Sequence, residues 1–97
     1  MNVGDTQAIT VGADQTVSVG GSESIQVGKD RSSDIGDNES VSAGKVMSLV
    51  AGDQIVLKTG SATITMKKNG DISIEGKQIT IKGSGDVVIK GQKVLQN

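Results

Sequence analysis

The 97-residue sequence contains no cysteine, proline, histidine, phenylalanine, tryptophan or tyrosine. Without cysteine there is no disulfide framework, and cysteine usage does not indicate an oxidising or a reducing compartment. Without histidine a nucleophilic triad lacks its usual base, and without histidine and cysteine a zinc site lacks its usual ligands. We therefore expect no catalytic residues, no bound metal and no other cofactor, and hence no enzyme.

Long hydrophobic runs are also missing, and no stretch approaches the length of a transmembrane helix. Residues 1–4 enter the repeat described below at once, so the sequence predicts no signal peptide. Only 34% of the residues are hydrophobic and none is aromatic, which leaves few large side chains to offset the conformational entropy lost on folding. We expect this chain not to fold as a monomer.

What the sequence does contain is a glycine at every eighth residue over its first 60 positions. These glycines are Gly4, Gly12, Gly20, Gly28, Gly36, Gly44, Gly52 and Gly60. A fixed internal period indicates one short unit copied along an axis. Because glycine adopts positive φ without steric strain, we expect each of these glycines to bend the chain at a corner of the repeat.

Between the corners, two apolar or small residues flank one outward residue, as in Val17-Ser18-Val19 and Ile72-Ser73-Ile74. This alternation is typical of half-buried strands, so the predicted fold class is all-β. The predicted interior row comprises Val3, Ile9, Val11, Val17, Val19, Ile25, Val27, Ile35, Val41, Leu49, Leu57, Ile64, Met66, Ile72, Ile74, Ile79, Ile81, Val87 and Ile89. Ser33 occupies one slot of this row that an apolar residue normally takes.

The repeat changes register near residue 60, where steps of eight give way to alternating steps of seven and eight. We therefore divide the chain into an octad-repeat shaft, residues 1–66, and a tighter, irregular tip segment of the same β-helix, residues 67–97. One alternative is a β-hairpin in the tip segment, because residues 68–71 carry an Asn-Gly turn signal.

Charge is unevenly spread, with three basic and seven acidic side chains in residues 1–48 but seven basic and four acidic in residues 49–97. These charges form either solvated faces or an acidic rear and a basic front suited to an anionic surface. The lysines of the basic front are Lys67, Lys68, Lys77, Lys82, Lys90 and Lys93. No aromatic residue is available to stack on a base beside these front lysines, so we expect no nucleic-acid binding.

Other repeat and site chemistries fit poorly. A calcium roll needs double glycines in every unit, and only Gly20-Gly21 provides one. The Gly-Lys pairs at Gly28, Gly44 and Gly76 lack the spacing of a phosphate loop. Asp34 and Asp37 lie in the repeating polar stretches, where their side chains more simply bond the local backbone.

The octads carry a resemblance in the segments Val11-Gly12-Ala13-Asp14, Val19–Ile25 and Ile35–Val41. They resemble the C-terminal needle of valine–glycine repeat protein G (VgrG), the spike of the bacterial type VI secretion system. The same architecture occurs in the central spikes of contractile phage tails. Residues 3–65 fit the pattern closely, and residues 70–83 resemble the family's final strands near the tip with less specificity.

The resemblance implies an intertwined homotrimeric triple-stranded β-helix, shaped as a triangular prism, that acts as a rigid membrane-piercing needle. It implies assembly in the cytoplasm, expulsion through a contractile apparatus, transient contact with a target membrane, and further domains ahead of this segment. A small tip protein with Pro-Ala-Ala-Arg repeats (PAAR), or an effector, would dock at the C-terminal end. The residues expected there are Val94, Leu95, Gln96 and Asn97. A phage tail spike and a fibrous stalk or binding module remain alternatives.

Overall fold

The computed structural model describes residues 6–96, so the predicted positions Val3, Gly4 and Asn97 lie outside the described residues. The chain divides into two units, Met1–Ser40 and Val41–Asn97. Residues 6–96 contain no helix, and their strands are β1 (Gln54–Thr59), β2 (Ala62–Lys67) and β3 (Ile72–Glu75). The all-β class is therefore correct for the described part of the chain.

The three strands form one antiparallel sheet in the order β1-β2-β3, within the second unit. Thr59 pairs with Ala62, so β1 and β2 are joined by a loop of two residues, Gly60 and Ser61. Gly60 has a φ of 55°, and a glycine with positive φ at the first loop position is typical of a type II′ hairpin turn. Gly60 thus reverses the chain direction, where the octad pattern predicted a corner.

A second hairpin joins β2 to β3 through residues 68–71. Gly70 N–H donates to the Lys67 carbonyl at 3.0 Å, and Lys67 N–H donates to the Asp71 carbonyl at 3.0 Å. Gly70 has a φ of 101°, which fits the left-handed residue that closes a three-residue hairpin loop. The hairpin that the Asn69-Gly70 pair favoured as an alternative is therefore present, and the tip segment begins inside an antiparallel sheet.

Away from the sheet the backbone bends repeatedly. In the octad region the bends fall at residues 12–13, 20–21, 28–29, 36–37, 44–45 and 52–53, and beyond the sheet they fall at 77–78, 84–85 and 92. The first series starts at the octad glycines, and the second follows steps of seven and eight. The bends recur with the periods read from the sequence.

The reason first given for glycine at these corners is wrong in the described chain. Among residues 6–96 positive φ occurs only at Gly60 and Gly70, so the glycines from 12 to 52 make their bends with φ values open to other residues. A Cβ atom added at any of these glycines would also meet no other atom of this chain within 4 Å. Neither strain nor crowding within one copy requires glycine there.

No residue among 6–96 is buried, so the described chain has no hydrophobic core of its own. The predicted boundary between shaft and tip, after residue 66, falls within β2 (Ala62–Lys67). This division of the chain stays a prediction.

Candidate functional site

The sheet has one apolar and one polar face. Alternate residues of a strand point to opposite sides, and strand register decides which residues share a side. The apolar face is made of two rows that cross all three strands, Ile55–Met66–Ile72 and Leu57–Ile64–Ile74. The opposite face carries Lys58, Thr63 and Glu75 at one level and Val56, Thr65 and Ser73 at the next.

The apolar face remains open to solvent except at Ile55, which is half-buried. Ile64, in the central strand, is 39% exposed, while Leu57 and Ile74 in the two edge strands are 53% and 58% exposed. A soluble protein normally covers a continuous apolar surface of this kind, and an uncovered one marks an interaction site. The sheet therefore lacks the layer that would complete it.

One end of this face borders a cleft of about 560 Å³. Its walls are residues of both faces of the sheet and the segment that follows β3. The sheet contributes Leu57, Ile64 and Ile74 from the apolar face and Lys58, Thr63 and Glu75 from the polar face, and the segment contributes Gly76, Gln78, Ile79 and Thr80. The chain bends at residues 77–78, and Ile79 packs back near Gly76, where an added Cβ would lie 3.6 Å from Ile79 Cγ1. The cleft is open to solvent.

In the first unit the apolar residues of successive octads repeat the same environment. The residue immediately before each corner is about half exposed, as at Val11 (44%), Val19 (46%) and Val27 (47%). The residue two positions earlier is more open, 70% at both Ile9 and Val17. The exposures at equal spacing are similar, with Ile25 somewhat lower at 59%, and they indicate one repeated local conformation whose apolar side chains are uncovered each time.

The main chain is also without partners over long stretches. Residues 8–52 and 76–96 make no main-chain to main-chain hydrogen bond with any described residue. Every backbone N–H and C=O must be paired with protein or water, and extended segments with open polar edges are templates for strand pairing. The octads therefore expose apolar side chains and free backbone groups together.

Electrostatic contacts in the described chain are weak. Lys68 Nζ lies 3.6 Å from Asp53 Oδ1, but the two side chains are 74% and 90% exposed. Among the described residues no three acidic, histidine or cysteine side chains cluster as a metal site. No helix within residues 6–96 is long and apolar enough to cross a membrane.

The structure brings together five of the predicted interior residues on the sheet, Leu57, Ile64, Met66, Ile72 and Ile74. It adds Ile55, which is not a member of the predicted interior row. The spacing of two residues between Ile55 and Leu57 was the signal in the sequence that could have found it. The other described members of the interior row are all exposed, as are Val94 (59%) and Leu95 (81%) at the predicted docking end. Gln96 is also exposed.

No known protein family matches the sequence. No curated protein is significantly similar to it. The repeat and the geometry of its exposed surfaces therefore carry the functional argument.

Proposed function

We propose that three copies of this chain intertwine into a rigid needle, the membrane-piercing spike of a contractile injection machine of the type VI secretion kind. One observation carries the proposal: the octads repeat a bend, an uncovered apolar residue and an unpaired backbone at fixed spacing. A neighbouring strand would satisfy each of these three features, and each octad presents all three.

Further copies of the same chain are the partners that fit best. An identical repeat supplies strands of the same length and bends at the same spacing, so hydrogen bonding can continue from one octad to the next without slipping out of register. The corner glycines also gain a role, since a residue without Cβ allows another backbone to approach closely. Open space around these glycines in the single chain is consistent with such an approach.

Three copies wound around one axis would make a closed prism with no lateral sheet edge. Stiffness is the mechanism, because continuous cross-chain ladders provide no hinge and a push at the rear moves the front. If each repeat advances one strand spacing of about 4.8 Å, the six octads between Gly4 and Gly52 give a shaft of roughly 29 Å before the chain enters β1. We propose that the chain assembles in the cytoplasm, is expelled, and contacts the target membrane only while it passes.

The charge distribution favours this orientation, with the basic part of the chain leading. The front lysines all lie beyond residue 60, in the part of the chain where the described bends follow steps of seven and eight. A basic leading end is attracted to an anionic membrane surface. A central spike of a contractile phage tail would use the same geometry and remains the alternative.

The proposal is tested by grafting residues 1–97 onto a type VI spike protein in place of its own needle. We expect the chimera to restore secretion, and the same chimera carrying Val17→Asp, which places a carboxylate in the predicted interior, to fail. A matched chimera with Ser18→Asp, at the neighbouring outward position, should still secrete. Equal secretion by the Val17→Asp and Ser18→Asp chimeras would contradict the proposal.

A second role is compatible with the first, namely docking of a PAAR-type tip protein or effector at the C-terminal end. The exposed apolar pair Val94 and Leu95 supports it, because the two side chains would lie at an open end of the prism. Co-purification of a tip protein with the full chain, lost when residues 91–97 are deleted, is the expected result. Retention of the tip protein by the truncated chain would argue against this end as the docking site.

A further inference from the structure

The sheet formed by β1, β2 and β3 leaves two strand edges open, one on β1 and one on β3. These edges carry opposite charges at the same level. Lys58 of β1 pairs with Thr63 of β2, and Thr63 pairs with Glu75 of β3, so the lysine and the glutamate mark the two ends of one row. Both side chains lie on the polar face of the sheet.

Strand direction lets one edge meet the other. Both β1 and β3 run antiparallel to β2, so they run parallel to each other. In three copies related by a threefold axis along the strands, β3 of one copy can therefore pair with a parallel β1 of the next, through the evenly spaced hydrogen bonds of parallel strands. The same operation points one face of every sheet toward the axis, and with the apolar face inward the apolar rows of the three sheets cover one another.

We infer that residues 54–75 of three copies close into a ring of three sheets, in which Glu75 of each copy lies beside Lys58 of the next copy. This inference rests on the homotrimer of the proposed function and adds how this segment assembles. Each chain keeps its own two hairpins here, pairs its main chain with its neighbours only at the sheet edges and packs its apolar rows against theirs, whereas the octads intertwine.

Charge complementarity selects the level at which the sheets meet. At equal level the Glu75 carboxylate faces an ammonium group, and opposite charges directly across a ladder stabilise the pairing. A shift of two residues in either direction would place Glu75 beside Val56 or Gly60, neither of which carries a charge. The unshifted ring alone pairs the two charges of this row.

Cysteine cross-linking tests the inference cleanly, because the chain has no cysteine of its own. The double variant Lys58→Cys with Glu75→Cys places a thiol on each edge. Within one chain these positions are two strands apart, about 9–10 Å, which is too far for a disulfide. Mild oxidation should therefore link different chains, giving a covalent series that ends at the trimer and disappears on reduction.

Two further double variants complete the experiment. Val56→Cys with Ser73→Cys joins the next level of the same face and should cross-link as well, so the test does not depend on one pair folding normally. Gln54→Cys with Glu75→Cys is the matched control, since residue 54 lies four positions from residue 58, about 13 Å along β1. This control should form at least tenfold less covalent trimer.

The outcomes separate the inference from the proposed function. Trimeric mass under reducing conditions with no cross-linking in either same-level pair would overturn the ring and leave the trimeric needle standing. Equal cross-linking in the Gln54→Cys control would also overturn the ring. A monomeric mass for the unmodified chain would overturn both.

Discussion

Leu57 pairs with Ile64 across the β1–β2 ladder, yet the two side chains are still 53% and 39% exposed. Burying an apolar side chain contributes about 1.5–3 kcal/mol, and this pair gains only part of that in a single chain. An isolated sheet of this size is marginally stable unless its apolar face is covered. The two side chains therefore hold the hairpin together only in part, and their full burial requires a partner molecule.

The predicted interior row should not tolerate charge. In Val17→Asp each trimer would bury three carboxylates near its axis, and an unpaired buried ion costs several kcal/mol. We expect the variant to elute as a monomer in size-exclusion chromatography with light scattering, and Ile79→Asp to behave in the same way. Ser18→Asp, on the outward side, should stay trimeric; an intact trimer for Val17→Asp would count against the assignment of the row.

Gly70, in the loop of the second hairpin, should be sensitive to substitution. Its φ of 101° disfavours any residue with a Cβ, so Gly70→Ala should destabilise the assembly by about 1–2 kcal/mol per chain. Gly85→Ala is the matched control, because Gly85 has open space and no positive φ. Urea unfolding at one fixed protein concentration measures both, and equal midpoints would show that the turn is not retained in the assembly.

The Asn69 side chain should stabilise the same turn through its amide oxygen. Asn69 Oδ1 accepts a hydrogen bond from Asp71 N–H at 3.1 Å, and Asn69 Nδ2 donates to Asp71 Oδ2 at 3.3 Å. We expect Asn69→Ala to lower the free energy of unfolding by about 0.5–1.5 kcal/mol. Asn69→Asp keeps an acceptor oxygen and should lose less in about 0.5 M salt, where repulsion between the carboxylates is screened. Equal losses would mean that this oxygen contributes nothing.

The ion pair between Asp53 and Lys68 should matter little. Both side chains are exposed, and exposed pairs of this kind typically contribute less than about 1 kcal/mol. The ladder hydrogen bond from Lys68 N–H to the Asp53 carbonyl, at 2.9 Å, does not depend on either side chain. Asp53→Asn should therefore leave the urea midpoint almost unchanged at low and high salt. A large, salt-dependent loss of stability would show that the ion pair is more buried in the assembly than in the single chain.

The sequence predicted the bends and the all-β class because both depend on short-range chemistry. A glycine every eight residues marks each corner from Gly12 to Gly52, and alternation of apolar residues marks β3 as a strand. The Asn69-Gly70 turn signal also acts locally, which is why the hairpin could be named as an alternative.

What the sequence misplaced was the role of Gly60 and Ile55. Gly60 continues the octad period. In the structure, however, Gly60 and Ser61 together form the two-residue turn between β1 and β2. Once that turn forms, β1 must alternate in step with β2, and Ile55 joins the apolar face opposite Met66. A period gives the positions of the bends but not their direction, because direction depends on which strands pair.

Mass in solution, followed together with strand content, tests the central claim most directly. One chain has a mass of 9.9 kDa. We predict a species of three times that mass by sedimentation equilibrium, whose strand signal in circular dichroism is lost as urea dissociates it, with no folded monomer along the transition. A stable species of 9.9 kDa that retains full strand signal in dilute buffer would contradict the account.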